Sequence, residues 1–284
     1  MIDAKHLRFS YSWKRPLFED LTFHVGGGRV TGLLGLNGEG KTTLLKLLAG
    51  QLLYTGGKME VLEQDPRKRK VSFLNSVFYL SESLNLPKGM SIGSFFNTMK
   101  VFYPTFSQEI ADESLSAFGL DYGMEMRSAS HGQQKKMMLA FAFALRVPIL
   151  LLDEPTNGLD IPSKSVFRKL IAKYITEEQT VIISTHQIRD LEQIIDYAMV
   201  LHNNQILLNE SLADLSERFV VTSTAGREGA MYEEMSPAGK VGLYEREDGD
   251  DYNFSTEMFF NAILCSQDRI LRTLKSSSIN NLNI

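Results

Sequence analysis

Near its N-terminus the chain carries a glycine-rich segment whose residue types and spacing could bind the phosphates of a nucleotide. The segment follows the pattern G-x-x-x-x-G-K-[ST], and its residues are Gly35, Leu36, Asn37, Gly38, Glu39, Gly40, Lys41 and Thr42, followed by Thr43. Glycines allow backbone N–H groups to point inward at phosphate oxygens, and a helix N-terminus favours an anion. The pattern predicts that Lys41 reaches the β- and γ-phosphates and that the Thr42 hydroxyl ligates Mg²⁺.

The residues on either side of this phosphate-binding loop (residues 35–43) predict the elements that must hold it. The apolar run 29–35 is typical of a buried strand, and residues 43–49 are typical of a helix that ends at Gly50. Strand, loop and helix in this order form the context that the loop requires. The alternative is a glycine-rich turn before an ordinary helix, which would not need both flanking elements in register.

A second group of chemically useful residues follows another apolar run. Residues 149–152 predict a buried strand, and Asp153 and Glu154 stand at its end. There the chain can turn both carboxylates toward one cleft, where Asp153 would hold Mg²⁺ largely through water and Glu154 would polarise an attacking water. An acidic turn after a buried strand is the alternative. The phosphate-binding loop upstream and residues 155–160 downstream favour the catalytic interpretation.

Three further segments resemble the motifs of a known family. Residues 152–160, Leu-Asp-Glu-Pro-Thr-Asn-Gly-Leu-Asp, resemble the Walker B motif and D-loop of the ATP-binding-cassette (ABC) ATPases. Residues 130–136, Ser-His-Gly-Gln-Gln-Lys-Lys, resemble the signature loop of that family, and residues 184–186, Ser-Thr-His, resemble its switch-histidine loop. The order and spacing match over roughly residues 1–215. The sequence has no Asn-Lys-x-Asp segment for guanine recognition, which argues against a GTPase.

The resemblance implies a mechanism in which two cassettes pair head to tail and enclose two ATP molecules. The residues that it assigns to the γ-phosphate held by the partner chain belong to the signature loop, namely Ser130, Gly132 and Gln133. It also implies that Asp160 braces the subunit interface and that His186 contacts the γ-phosphate and the attacking water, close to Glu154. A satisfied histidine at a strand end is the alternative for His186, which its position after the Walker B motif disfavours.

The resemblance assigns roles to two more positions and exposes two departures from the family pattern. Tyr11 stands where the family stacks an aromatic ring on adenine; an ordinary aromatic of the sheet is the alternative, and Trp13 could serve on the same face. Glu82 stands where the family usually has a glutamine that contacts Mg²⁺ and water, so we predict a metal-side contact for its carboxylate. His131 replaces the first glycine of the signature loop, from which we expect reduced activity at most.

The composition of the 284-residue chain limits the classes of protein to which it can belong. A net charge of −4 and a pI of about 5.8 argue against an extended nucleic-acid-binding face. The single cysteine, Cys265, excludes an internal disulfide and a cysteine-cluster metal site. The longest apolar stretch, residues 137–152, is too short to span a bilayer, and no signal-peptide pattern opens the sequence. We therefore expect a cytoplasmic protein that lies on the inner face of the cell membrane through a partner.

The expected fold is α/β, a P-loop NTPase cassette of the ABC type with an N-terminal antiparallel β part, a mainly parallel core sheet and an inserted helical subdomain. The cassette is predicted over residues 1–215, with the helical subdomain at about 83–145. Residues 216–284 are predicted to form a small α/β or helical extension and are a candidate dimerisation element. A helix over 188–195 and a last helix over 256–274 are also predicted. An apolar stripe around Phe259 on the last helix would pack on the cassette or contribute to dimerisation.

These features predict an Mg²⁺-dependent ATPase in which a cassette dimer, homo- or heteromeric, powers transport by a separate membrane permease. Three features look more like bacterial exporter cassettes than importer ones: the Tyr103-Pro104 segment, Glu82 and the variant signature loop. Parts of the aromatic helical insertion are expected to receive a coupling helix of the permease. One alternative is an ABC ATPase that acts on nucleic acid or ribosomes, although coiled coils and basic arms are missing. The other is a nucleotide-binding switch that hardly hydrolyses ATP, which the presence of Glu154 and His186 disfavours.

Overall fold

The computed structural model describes residues 1–12, 15–87, 89–126, 128–237 and 239–280, with side chains as far as Leu274. The strands are β1 (Ile2–Ser12), β2 (Arg15–Val25), β3 (Val30–Leu34), β4 (Gly56–Val61), β5 (Val77–Leu80), β6 (Ile149–Asp153), β7 (Thr180–Thr185), β8 (Tyr197–His202), β9 (Gln205–Ser211), β10 (Phe219–Ser223), β11 (Tyr232–Ser236) and β12 (Gly239–Glu245). The α-helices are α1 (Lys41–Leu48), α2 (Val71–Leu74), α3 (Ile92–Met99), α4 (Gln108–Ala117), α5 (His131–Leu145), α6 (Ile161–Tyr174), α7 (Leu212–Arg218), α8 (Thr256–Cys265) and α9 (Gln267–Asn280). The chain separates into two units, Met1–Asn209 and Glu210–Ile284.

The first unit begins with an antiparallel sheet of strand order β2-β1-β4. Ile2 of β1 lies opposite Val25 of β2 on one side and Val61 of β4 on the other. Alternate side chains of β2, from Leu21 through Phe23 to Val25, are buried because one face of an antiparallel sheet covers the core. This sheet is the antiparallel β part that the sequence predicts.

The core sheet of the first unit has the strand order β5-β6-β7-β3-β8-β9. The pairs β5–β6, β6–β7, β7–β3 and β3–β8 are parallel. Every residue of β3, β6 and β7 is buried, as expected for parallel strands that are covered on both faces. Leu34 pairs with Thr185 and Asp153 pairs with Ser184, so the carboxyl ends of these three strands lie side by side. The phosphate-binding loop, the acidic end of β6 and the switch-histidine loop therefore meet at one edge of the sheet.

The helices α3, α4 and α5 form an insertion between β5 and β6. Its core is an aromatic cluster around Phe141, whose ring centroid lies 4.9 Å from that of Phe96 and 5.5 Å from that of Phe95. The Phe141 ring also lies 5.9 Å from Phe78 of β5. The same cluster that fills the insertion thus attaches it to the core sheet.

The second unit contains an antiparallel sheet of order β10-β12-β11 together with α7, α8 and α9. Phe259 of α8 is 2% exposed and packs against Phe219 and Phe254, with ring centroids 5.1 and 5.7 Å away. The apolar stripe therefore packs within its own unit, which neither predicted arrangement included. The predicted domain boundary after residue 215 lies within α7.

Two predicted helices differ from the structure. The helix predicted over 256–274 is two helices, because Ser266 leaves the helical region with φ −132° and ψ 40° between α8 and α9. The prediction of a helix over 188–195 is wrong beyond the first turn, since only a 3₁₀ segment at Ile188–Asp190 forms. Across the described ranges, we find no helix with the length and apolar character needed to cross a membrane.

Candidate nucleotide-binding site

The phosphate-binding loop joins β3 to α1, and its glycines adopt conformations that other residues rarely adopt. Gly38 has φ 85° and Gly40 has φ 101°, both in the left-handed region. A Cβ on Gly40 would lie 2.9 Å from Cζ of Phe18, and a Cβ on Gly35 would lie 2.5 Å from the carbonyl oxygen of Leu201. The turn therefore requires glycine at these positions for backbone conformation and for space.

The ammonium group of Lys41 lies across this loop. Its Nζ donates to the carbonyl oxygens of Gly35 at 2.8 Å and Leu36 at 3.0 Å, and the residue is buried. Burial lowers the pKa of Lys41, against the opposing effect of the carboxylates of Glu154 and Asp153. The loop thus holds a buried positive charge whose natural counterpart is an anion.

The hydroxyl of Thr42 and the carboxylate of Asp153 meet at the edge of the sheet. Thr42 Oγ1 donates to Asp153 Oδ1 at 3.1 Å, and Asp153 is almost fully buried. Asp153 also accepts hydrogen bonds from Ser184 Oγ at 2.6 Å and from the hydroxyl of Tyr79 at 2.9 Å. Burial and the charge of Asp153 raise the pKa of Tyr79, so its phenol remains a donor. Tyr79 was not among the predicted site residues, although a hydroxyl in the apolar run of β5 was an available signal.

Glu154 and His186 form a hydrogen-bonded pair at the same edge. Glu154 has φ 45°, and its N–H donates to the carbonyl oxygen and to Oγ of Ser184 at 3.2 and 3.1 Å. This turn aims the buried carboxylate at His186, whose Nδ1 lies 2.8 Å from Glu154 Oε1. Because a carboxylate only accepts, Nδ1 carries the proton. The two residues predicted to share the attacking water are therefore adjacent.

Glu82 is held at two points near the acidic residues. Its Oε1 accepts from Asn157 Nδ2 at 3.0 Å, and its carbonyl oxygen accepts from Lys135 Nζ at 3.3 Å. Lys135 is fully buried. Burial lowers the pKa of Lys135, while the charges of Glu82, Asp153 and Glu154 oppose that change. Sequence reasoning assigned no separate role to Lys135 or Asn157, because both occur there only as members of longer motifs.

The remaining side of the phosphate-binding loop carries Tyr11. Its hydroxyl lies 2.9 Å from Thr43 Oγ1, and its ring packs edge-on against Phe9 with centroids 4.9 Å apart. Tyr11 is 66% exposed, so a flat ring is available beside the first turn of α1. Trp13, the alternative aromatic, lies outside the described residues.

The signature loop opens α5 with a capping box. Ser130 Oγ accepts from the N–H of Gln133 at 3.2 Å, and Gln133 Oε1 accepts from the N–H of Ser130 at 2.8 Å. A Cβ on Gly132 would lie 3.2 Å from the carbonyl oxygen of Gly158. The signature loop therefore lies beside the loop that follows Glu154, and glycine permits this close approach.

Asp160 caps α6 and stands next to the signature helix. It accepts from the N–H of Ser163 at 2.8 Å, and Lys136 Nζ lies 3.3 Å from its Oδ2. The hydrogen bonds from Ser163 lower the pKa of Asp160. Its side chain is 61% exposed, so it remains accessible to another molecule.

Known proteins are similar to this chain over most of its length. A family model described as ABC transporter matches residues 18–157. A putative ABC transporter ATP-binding protein of Bacillus anthracis is 27% identical over 239 residues, which are 80% of this chain and 42% of that relative. The cytochrome c biogenesis ATP-binding export protein CcmA of Bradyrhizobium diazoefficiens is 31% identical over 174 residues, which are 61% of this chain and 85% of the relative. The chain thus spans less than half the length of the Bacillus anthracis relative.

A solved dimeric ATP-binding cassette in a post-hydrolysis state, bound to ADP and phosphate, has a TM-score of 0.65 to this chain at 21% identity. The match covers 75% of this chain and 99% of that one, and it shows the shared fold. Fold and site together define an α/β cassette with a phosphate-binding loop. The chain belongs to the ATP-binding proteins of ABC transporters, a family of ATPases, and the predicted family and fold class are confirmed.

Proposed function

We propose that this chain is the ATP-hydrolysing subunit of a transporter, working as a pair of cassettes on a separate membrane permease. The observation that carries the proposal is the meeting of Lys41, Asp153, Glu154 and His186 at the carboxyl ends of the parallel strands β3, β6 and β7. Ligands of open α/β sheets bind at this edge. The protein would then lie in the cytoplasm, on the inner face of the membrane.

Hydrolysis of ATP in this proposal depends on Glu154 as the general base. Glu154 accepts the proton of the attacking water, and the phosphate-binding loop with Lys41 holds the triphosphate. His186 donates Nδ1–H to Oε1 of Glu154, so Oε2 is the oxygen that we assign to the water. A positioned general base contributes about 10²–10⁴-fold to the rate.

The oxygen atoms at the site are suitable ligands for the predicted Mg²⁺. Thr42 Oγ1 and Asp153 Oδ1 are 3.1 Å apart, and proteins usually hold Mg²⁺ through one or two oxygen ligands together with substrate phosphates. When bound, the ion would neutralise charge on the β- and γ-phosphates. Tyr79 and Ser184 orient the Asp153 carboxylate toward this position. We assign the carboxylate of Glu82 as a further oxygen contact of the metal ion.

The signature loop suits a nucleotide that is held by a second cassette. Ser130 is exposed at the N-terminus of α5, where N–H groups and the helix dipole favour an anion. We assign Ser130, Gly132 and Gln133 to the γ-phosphate of the partner's ATP and Asp160 to the contact between subunits. Tyr11 would stack on adenine. A homodimer and a heterodimer are both compatible with these assignments.

An apolar groove supports the coupling to a permease. Val71 and Leu74 of α2 and Phe102 line a groove of about 430 Å³, in which Val71 is 73% and Phe102 is 58% exposed. We propose that a short cytoplasmic helix of the permease covers these side chains, because exposed apolar patches of this kind mark interaction sites. Export is the direction that we favour, in line with the name of the CcmA relative, an ATP-binding export protein.

The first experiment compares Mg²⁺-dependent ATP hydrolysis by the wild-type chain and by Glu154→Gln, with light scattering in the presence and absence of ATP. We expect kcat of the variant to fall by at least about 100-fold, because the amide cannot accept a proton. The variant should still bind ATP and should dimerise on it. Glu178→Gln is the matched control and should behave as wild type. Glu178 is exposed and lies just before the N-terminal end of β7, away from the site.

Three results would contradict this proposal. Full activity in Glu154→Gln would remove the assigned base. A wild-type chain that binds ATP without hydrolysing it or dimerising would favour a nucleotide switch. Co-purification with RNA or ribosomes in place of a membrane protein would favour an ATPase of the nucleic-acid class.

A further inference from the structure

The phosphate-binding loop contains an acidic residue in the middle of a segment that binds an anion. Glu39 lies between the two glycines that turn the loop, and its side chain is only 13% exposed. Its charge acts on the ammonium of Lys41, which the proposed function assigns to the β- and γ-phosphates. A free carboxylate at this place would repel a triphosphate, so its position matters for binding.

A histidine on a distant strand holds this carboxylate. His202 Nδ1 lies 3.0 Å from Glu39 Oε1, and the His202 side chain is 18% exposed. Because the carboxylate only accepts, His202 donates Nδ1–H to it. The pair is thus a partly buried, charge-assisted hydrogen bond between the loop and the last residue of β8.

Strand β8 also supports the loop through its backbone. β8 pairs in parallel with β3, with Val200 opposite Leu34 immediately before the loop begins. The carbonyl oxygen of the next residue, Leu201, occupies the space that a Cβ on Gly35 would need. One end of the loop therefore rests on the β8 backbone, and its middle is held by the His202 side chain.

We propose that His202 is a positioning residue of the nucleotide site, which holds the Glu39 carboxylate against the end of β8 and so allows an acidic phosphate-binding loop to bind a triphosphate. The inference rests on the proposed function, because it assumes that the loop binds ATP. It assigns a role in nucleotide affinity to a residue outside every motif of the sequence. His202 contacts the loop and acts on ATP only through Glu39.

The effect of His202→Ala on ATP affinity should depend on whether residue 39 carries a negative charge. In His202→Ala the Glu39 carboxylate loses its donor and can turn toward the phosphates, so we expect the Kd for ATP to rise about tenfold. In the double variant Glu39→Gln with His202→Ala, the charge is gone and affinity should return to within about threefold of wild type. His202→Asn places an amide donor near the position of Nδ1 and should also remain within about threefold.

The experiment is a titration of each purified variant with a fluorescent ATP analogue and Mg²⁺, together with kcat and KM for ATP. We expect His202→Ala to raise KM with little change in kcat, and added salt to reduce the defect because it screens repulsion. His6→Ala is the matched control, since His6 Nδ1 pairs with Asp20 at 2.7 Å on the exposed sheet of the same unit. It should leave the Kd unchanged.

Several results would overturn the inference. An unchanged Kd in His202→Ala would do so, as would a double variant that binds ATP as weakly as His202→Ala alone, since a merely structural role is not rescued by Glu39→Gln. If His202→Ala fails to fold, two other variants test the inference, namely His202→Asn and Glu39→Gln with His202 intact. Both are expected to bind ATP at least about as tightly as wild type, and clearly weaker binding by either would overturn the inference. A wild-type chain that binds no ATP would overturn the proposed function first and this inference with it.

Discussion

Among the described side chains, those that are both charged and buried lie in the unit Met1–Asn209, and they are Lys41, Lys135, Asp153 and Glu154. The unit Glu210–Ile284 instead buries apolar groups such as Phe219, Leu243 and Phe259, and its Lys240–Glu233 ion pair is largely exposed. Burying a charge destabilises a fold unless partners compensate it. The first unit thus buries charged side chains where ATP chemistry is proposed, whereas the described charged side chains of the second unit, Arg227 and Asp250 included, stay at least partly exposed.

The largest effect that would test this contrast is a cavity in the second unit. Phe259→Ala removes a buried ring that contacts Phe219 and Phe254, and we expect it to lower the free energy of unfolding of that unit by about 3–5 kcal/mol. Hydrogen exchange of the β10 and β12 amides measures the loss. Met235→Ala, at a 78% exposed position of the same unit, is the control. ATP affinity should be unchanged in both, and its loss in Phe259→Ala alone would break the contrast.

A smaller effect concerns the compensation of charge in the first unit. Lys135→Met removes the ammonium that donates to the backbone carbonyl oxygen of Glu82 and offsets the charges of the Glu82, Asp153 and Glu154 carboxylates. We therefore expect kcat for ATP hydrolysis to fall about tenfold. Glu82→Gln in the same chain should recover part of the loss, because one uncompensated charge is removed. An additive double variant would show that the charges of Lys135 and Glu82 do not compensate each other.

The smallest effect is a dependence of stability on pH. Burial lowers the native pKa of Lys135 below 10.5, so between that pKa and 10.5 the unfolded chain binds more protons than the native one. The unfolding free energy of wild type, relative to Lys135→Met, should therefore rise with pH across this window. Lys58→Met is the control of opposite sign: its hydrogen bond to Glu60 raises the pKa of Lys58, and that contribution is lost as pH rises above 10.5. Chemical denaturation at several pH values measures both effects. A difference in unfolding free energy between wild type and Lys135→Met that does not change with pH would contradict the lowered pKa of Lys135.

Sequence reasoning located much of the candidate site because its motifs are local. The strand, loop and helix around Lys41 are contiguous, and the buried run of β6 ends directly at Asp153 and Glu154. Parallel strands place their carboxyl ends at one edge, so the meeting of these segments with His186 also followed from the order of the strands. The break between α8 and α9 was not predicted, because apolar residues recur on both sides of the polar residues 266–269, and a short polar run also occurs on the solvent face of an unbroken helix.

The family, the phosphate-binding loop and the acidic strand end could be identified from the amino-acid sequence alone, since each is encoded by residues that are neighbours in the chain. Which side chains complete the site became clear only from the folded structure. His202 reaches Glu39 across 163 positions, Tyr79 reaches Asp153 across 74, and Lys135 reaches Glu82 across 53. The sequence does not show which partner such a side chain meets, because a histidine, tyrosine or lysine acquires its role from the charge that the fold places beside it.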